Sequence, residues 1–124
     1  MKNMAVNDLV ARVANELEMK GFDVDRRYYA DDVTMYQAYA VKDGKYKRSQ
    51  VEGRNFLRSD GFKIEVFVVN KHNGAEENIS ADISIYEYKS SLGKRIAKER
   101  INVKMGERAI MSRINKIVDM YESL

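Results

Sequence analysis

The sequence contains no cysteine and a single histidine among 124 residues. Without cysteine there is no disulfide, no thiol nucleophile and no thiolate-ligated metal. This usage fits a reducing compartment, so a cytoplasmic location is expected. The lone His72 sits beside Asn73-Gly74 and cannot build a His-rich zinc site. No Gly-x-Ser-x-Gly elbow is present, so hydrolytic triads have no support. Gly-rich phosphate loops are missing too: Gly53 and Gly61 stand alone, with no Lys-Ser/Thr pair at P-loop spacing. No apolar run approaches about 18 residues, so no membrane span is expected. The first residues lack the apolar core of a signal peptide.

What is there is strand-like sequence between two helical segments. Met4–Lys20 carries Val6, Val10, Val13 and Leu17 at spacings of three and four, widened by Leu9 and Ala14, and Gly21 follows. Glu107–Glu122 repeats the pattern with Ile110, Ile114, Ile117, Val118 and Tyr121. Between them lie strand candidates at Phe22–Tyr29, Val33–Val41, Lys45–Val51, Phe62–Asn70 and Ile79–Tyr88, with a further strand towards Lys104. Gly53–Gly61 reads as a loop whose Phe56 and Leu57 dip towards the core.

Turn chemistry sets an expected register. Asn73-Gly74, as a two-residue hairpin loop, pairs Val68 with Ile79, Val66 with Ala81, Ile64 with Ile83 and Phe62 with Ile85. All four pairs are apolar and share one face. Ser91-Leu92-Gly93, as a three-residue loop with Gly in the left-handed position, sets Ile83 opposite Ile101 and Ala81 opposite Val103. Asp43-Gly44 predicts a further hairpin between the second and third strands. The expected fold class is therefore α+β: a single domain, residues 1–124, with an about five-stranded antiparallel sheet. The N-terminal and C-terminal helices pack on one face of it, and the other face is solvated.

That other face holds Lys63, Glu65, Phe67 and Val69, then Ser84, Tyr86 and Tyr88, then Lys98 and Arg100. In this register Tyr86 lies near Lys98, Ser84 near Arg100 and Tyr88 near Ile96. Net charge is +3, unevenly spread, with basic stretches at Lys42–Arg58 and Lys89–Lys104. Aromatic rings with cations suit either of two partners. Tyr and Arg are favoured anchors for a protein partner or a homodimer. Rings for stacking and cations for phosphates are also the tools of single-stranded nucleic-acid binding. The candidate binding residues are Phe67, Tyr86, Tyr88, Lys98 and Arg100 on the sheet, and Lys45, Lys47, Arg48, Arg54 and Arg58 in the basic stretch. No RNP1 motif supports an RRM. The element order resembles the double-stranded-RNA-binding domain, but its basic helix-start motif is absent at Gly106–Arg113.

One enzymatic constellation stands beside these. Asp60 falls opposite Glu87 in the expected register, with Lys89 two residues on. Asp60, Glu87, Tyr88 and Lys89, after a helix bearing Glu16 and Glu18, resemble the active site of the PD-(D/E)xK nucleases. That resemblance implies Mg²⁺ held by the two carboxylates and a lysine near the attacked phosphate. Ser59 in place of Pro before Asp60, and the lack of a later α-β crossover, depart from the pattern. The acidic group Asp23, Asp25, Asp31 and Asp32 reads as a solvated edge. The leading expectation is a small non-catalytic interaction or inhibitor protein, of the kind phages and mobile elements encode, that needs no cofactor. Its partner is expected to be a protein, with nucleic acid as the alternative.

Overall fold

The computed structural model describes residues 2–29, 32–53, 57–69 and 80–124. The chain runs α1 (Lys2–Met19), β1 (Asp23–Tyr29), β2 (Asp32–Val41), β3 (Tyr46–Gln50), β4 (Leu57–Val69), β5 (Ser80–Lys89), β6 (Leu92–Asn102) and α2 (Glu107–Glu122). All strand pairings are antiparallel, in the order β1-β2-β4-β5-β6, and β3 also pairs with β4. Because β2 and β3 both lie along β4, six strands make a sheet five positions wide. Both helices cover one face of it. Among the described residues, no helix is long and apolar enough to cross a membrane.

Helix α1 buries Leu9, Val10, Val13, Ala14 and Leu17. It ends in a Schellman arrangement: Gly21 takes φ +91, its N–H donates to the Glu18 carbonyl, and the Phe22 N–H donates to Leu17. Helix α2 buries Ile110, Ile114, Ile117, Val118 and Tyr121, with Glu107 in its first turn complementing the helix dipole. These residues meet Ala38, Ala40, Ile64, Val66, Ala81, Ile83, Ile85 and Ile101 in one core. Each fully buried Ile or Leu is worth about 1.5–3 kcal/mol relative to exposure, so this face holds the fold together.

Both hairpin registers differ from expectation by two residues, and the second by three on the turn side of its bulge. Val68 pairs with Ala81, Val66 with Ile83, Ile64 with Ile85 and Phe62 with Glu87. The turn expected at Asn73-Gly74, with His72 and Ile79, lies outside the described residues. A shift of two preserves which side chains share a face, so the apolar face survives the error. At the next turn the loop is Ser90-Ser91, not Ser91-Leu92-Gly93, and both serines take positive φ (50 and 69). The strain is offset locally. The Ser91 N–H donates to the Ser59 carbonyl (2.8 Å), the Ser59 N–H to Ser91 Oγ (2.9 Å), and the Ser90 N–H to Asp60 Oδ1 (3.0 Å). Ile101 therefore faces Ala81, not Ile83, and a bulge leaves Ile96 unpaired between Arg95 and Ala97.

The Asp43-Gly44 turn forms, but it is not a hairpin. Asp43 and Gly44 both take positive φ (59 and 68), and the Lys45 N–H donates to the Lys42 carbonyl. The chain then continues in its original direction. Ala40 pairs with Ile64 and Tyr46 with Gly61, so residues 41–45 stand against only Phe62 and Lys63. The turn is a large bulge between two collinear strands. Gly61 makes room for it at φ +113: a Cβ there would overlap the Lys45 carbonyl, whose carbon would lie 2.9 Å away. Residues 57–61, expected in a loop, are the first part of β4. Leu57 is exposed rather than turned inward, and Phe56 lies outside the described residues.

Candidate functional site

The sheet face opposite the helices is polar, but its centre is not solvated as expected. Gln37, Glu65, Ser80, Asp82 and Ser84 are all buried. Register explains the rows. Gln37, Phe67, Asp82 and Arg100 stand side by side across β2, β4, β5 and β6. Tyr39, Glu65, Ser84 and Lys98 form the next row. The long side chains are tied to the buried polar ones. Arg100 grips Asp82 through Nε (2.6 Å) and Nη2 (3.1 Å). The Tyr39 hydroxyl donates to Gln37 (2.6 Å), and that of Tyr88 donates to Glu65.

At the β3 end of this face the rings converge on one lysine. Lys63 Nζ lies 4.6 Å from the Tyr39 ring centroid, 5.0 Å from Tyr46 and 4.9 Å from Tyr88. Three cation–π contacts on a largely covered ammonium are each worth about 0.5–2 kcal/mol. The bulge at residues 41–45 sets Tyr46 beside Tyr88, with centroids 5.6 Å apart. Gly93 lies under the Tyr88 ring, where a Cβ would sit 2.7 Å from Cε1. Burial, reinforced by the bond to Glu65, pushes the Tyr88 phenol well above its usual range. These residues bound a recess of about 410 Å³, lined by Asp23, Asp25, Arg27, Tyr39, Arg48 and Lys63 among others.

The expected site residues divide. Phe67 packs edge-on against Tyr39 (6.2 Å), and Tyr86 lies 6.3 Å from Tyr88. Tyr86 is opposite Arg95 rather than Lys98, Ser84 opposite Lys98 rather than Arg100, and Tyr88 opposite Gly93 rather than Ile96. Lys98 is exposed, whereas Arg100 is committed to Asp82. The basic stretch is not one patch. Lys42 and Lys45 reach the C-terminal end of α2, at Glu122 and the Leu124 carbonyl. Arg58 is held by Asp60 (2.8 Å), Lys47 is exposed opposite Asp60, and of the described residues of this stretch only Arg48 and Tyr46 line the recess, together with Ser59 beside them. Arg54 lies outside the described residues.

The expected direct pairing of Asp60 with Glu87 is not formed. Glu87 pairs with Phe62, and Asp60 with Lys47. The Asp60 carboxylate is occupied by the Ser90 N–H and Arg58, which hold it below the usual carboxylate range. Among the described residues, no group of three or more His, Asp or Glu side chains is placed to hold a metal ion. Sequence reasoning missed the convergence of Tyr39, Tyr46 and Lys63. Alternation put Lys63 on the correct face, but the collinear β2–β3 arrangement that unites the tyrosines has no local signature. Comparison with family models, curated proteins and solved structures finds no match to this chain.

Proposed function

We propose that this protein is a non-catalytic binding module, of interaction or inhibitor type, that engages a protein partner through the sheet face opposite its helices. The observation that carries this reading is the charge pairing of that face. Arg27 is paired with Asp25, Lys63 with Glu65 and Arg100 with Asp82. A nucleic-acid strand needs unpaired cations along its path, and interleaved carboxylates oppose it. A tyrosine-rich face of balanced charge has the character of a protein-interface core. The nucleic-acid alternative rests on Arg95 and Lys98, which make no ion pair with any described residue and adjoin Tyr86 and Ser84.

The test is site-specific photocrosslinking from position 86 in cells, with Tyr88→Ala and Lys47→Ala as comparisons. A discrete crosslinked protein that Tyr88→Ala removes and Lys47→Ala retains is the expected result. In parallel, labelled single-stranded DNA and RNA are titrated at two salt concentrations. Binding that falls steeply with salt and weakens in Arg95→Ala and Lys98→Ala would replace the protein reading with the nucleic-acid one.

A further inference from the structure

We infer that the Lys63 recess is a carboxylate-binding site, and that its occupant is a Glu or Asp side chain of a protein partner. The assignment rests on the protein-binding reading and adds the chemistry of its anchor. Lys63 is only 17% exposed, yet its ammonium makes no hydrogen bond to any described residue. Its nearest carboxylate, Glu65, is 3.6 Å away, and that carboxylate already accepts the Tyr88 hydroxyl. Three tyrosine faces answer the positive charge, but they offer no lone pairs to its three N–H donors. Arg48 lines the same recess and makes no ion pair with a described residue. A largely covered ammonium short of acceptors and an exposed guanidinium with no ion pair to a described residue thus flank one opening.

A carboxylate supplies the acceptor oxygens that the Lys63 N–H donors lack and the counter-charge that Arg48 lacks. The tyrosine walls suit the methylenes of the side chain that carries it. Inorganic phosphate has no methylenes to place against these walls, and Asp23 and Asp25 share the recess, with Asp25 paired to Arg27 at 2.9 Å. The recess is also larger than a bare carboxylate needs, as befits a side chain arriving with its neighbours.

The experiment is a titration of the full chain, followed by amide and lysine-ammonium NMR, with acetyl-Glu-methylamide, acetyl-Gln-methylamide and inorganic phosphate. Saturable shifts at Tyr39, Tyr46, Lys63 and Tyr88 are expected with the glutamate compound and not with the glutamine one. Lys63→Met and Arg48→Gln should each weaken binding about tenfold or more, as loss of a charged hydrogen bond does. Their amide spectra away from the recess report that the fold is kept. Equal shifts from both compounds, no saturation, or tighter binding of phosphate would overturn the assignment. A failed titration with the Tyr88-dependent crosslink retained removes the carboxylate anchor alone. Saturation by the glutamate compound with no crosslinked protein keeps the site but overturns its occupant, giving it to a free carboxylate.

Discussion

The Tyr121 hydroxyl donates to the Phe62 carbonyl at 2.9 Å, tying the last turn of α2 to the residue after the Gly61 kink. The same oxygen accepts the Lys42 N–H at 3.2 Å. One phenol therefore holds both sides of the bulge that sets Tyr46 over Lys63. Its ring packs against Phe22 (5.3 Å), and burial raises its pKa. Tyr121→Phe should keep the packing and lose both bonds. The expected cost is about 1–3 kcal/mol, since a part-buried carbonyl and a part-buried N–H both lose their partner. Urea denaturation measures it, and an unchanged midpoint would mean that the clamp carries no energy.

Gly61→Ala should be far more damaging. It places a Cβ against the Lys45 carbonyl and forces a side chain to φ +113. The loss should exceed about 3 kcal/mol, because backbone must move rather than a flexible side chain. Gly44→Ala is the internal control. Gly44 also has positive φ, but nothing lies within 4 Å of its Cβ position. Its cost should be only the left-handed penalty, about 1–2 kcal/mol. Similar losses for the two would show that conformation, not the close approach, dominates at Gly61.

These two residues also show where the sequence was legible. Alternation over Phe62–Val69 and Ser80–Tyr88 identified the apolar face correctly, because an error of two residues leaves every side chain on its own side. The local turn signal at Asp43-Gly44 was real as well: both residues adopt the left-handed conformation that the dipeptide favours. Its consequence depended on something distant. The chain continues along β4 because Gly61 lets Lys45 come close, and no periodicity records that meeting. Ser90-Ser91 was missed for a related reason. Serine at positive φ is tolerated there through bonds to Ser59 and Asp60, some thirty residues earlier. The tyrosine cage inherits both blind spots, since its members come from β2, β3, β4 and β5.

Tyr88 should ionise late. Burial first, and the bond to Glu65 second, raise its folded pKa above the ordinary value near 10. A raised pKa favours the neutral phenol in the fold. Its contribution to stability is therefore complete below pH about 10 and is lost as pH climbs through the raised value. Ultraviolet titration of tyrosinate should show one late-ionising group absent in Tyr88→Phe. Glu65→Gln should bring that group partway down, since burial remains. A Glu65→Gln titration that overlays the wild type would show that the hydrogen bond does not set the shift.

Glu122 acts at the acid end. Its bond to Lys42, at 2.6 Å, holds its pKa below the usual 4.5. A depressed carboxylate stabilises the fold above its unfolded pKa, and the effect fades as pH falls through the folded value. The pair is exposed, so the effect is small and sensitive to salt. Glu122→Gln should lower the thermal midpoint at neutral pH and converge on the wild type in acid. A constant offset at every pH would assign the loss to packing instead.

Ser84 offers the opposite sign. It is 1% exposed at the centre of the polar sheet face, beside Glu65 and Lys98 in register, and its Oγ has no hydrogen-bond partner among the described residues. A buried hydroxyl without a partner costs about 1–3 kcal/mol of desolvation. Ser84→Ala removes that cost and leaves only a small void. It should be neutral or stabilising by up to about 1 kcal/mol, whereas most buried substitutions destabilise. If Ser84→Ala instead lowers the urea midpoint, the hydroxyl has an acceptor in solution, and the row Tyr39–Glu65–Ser84–Lys98 is hydrogen-bonded across the sheet. If stability rises while the crosslink from position 86 weakens, the hydroxyl is kept for the partner at the expense of the fold. That outcome would place the centre of the interface at Ser84 and make the Lys63 recess its flank.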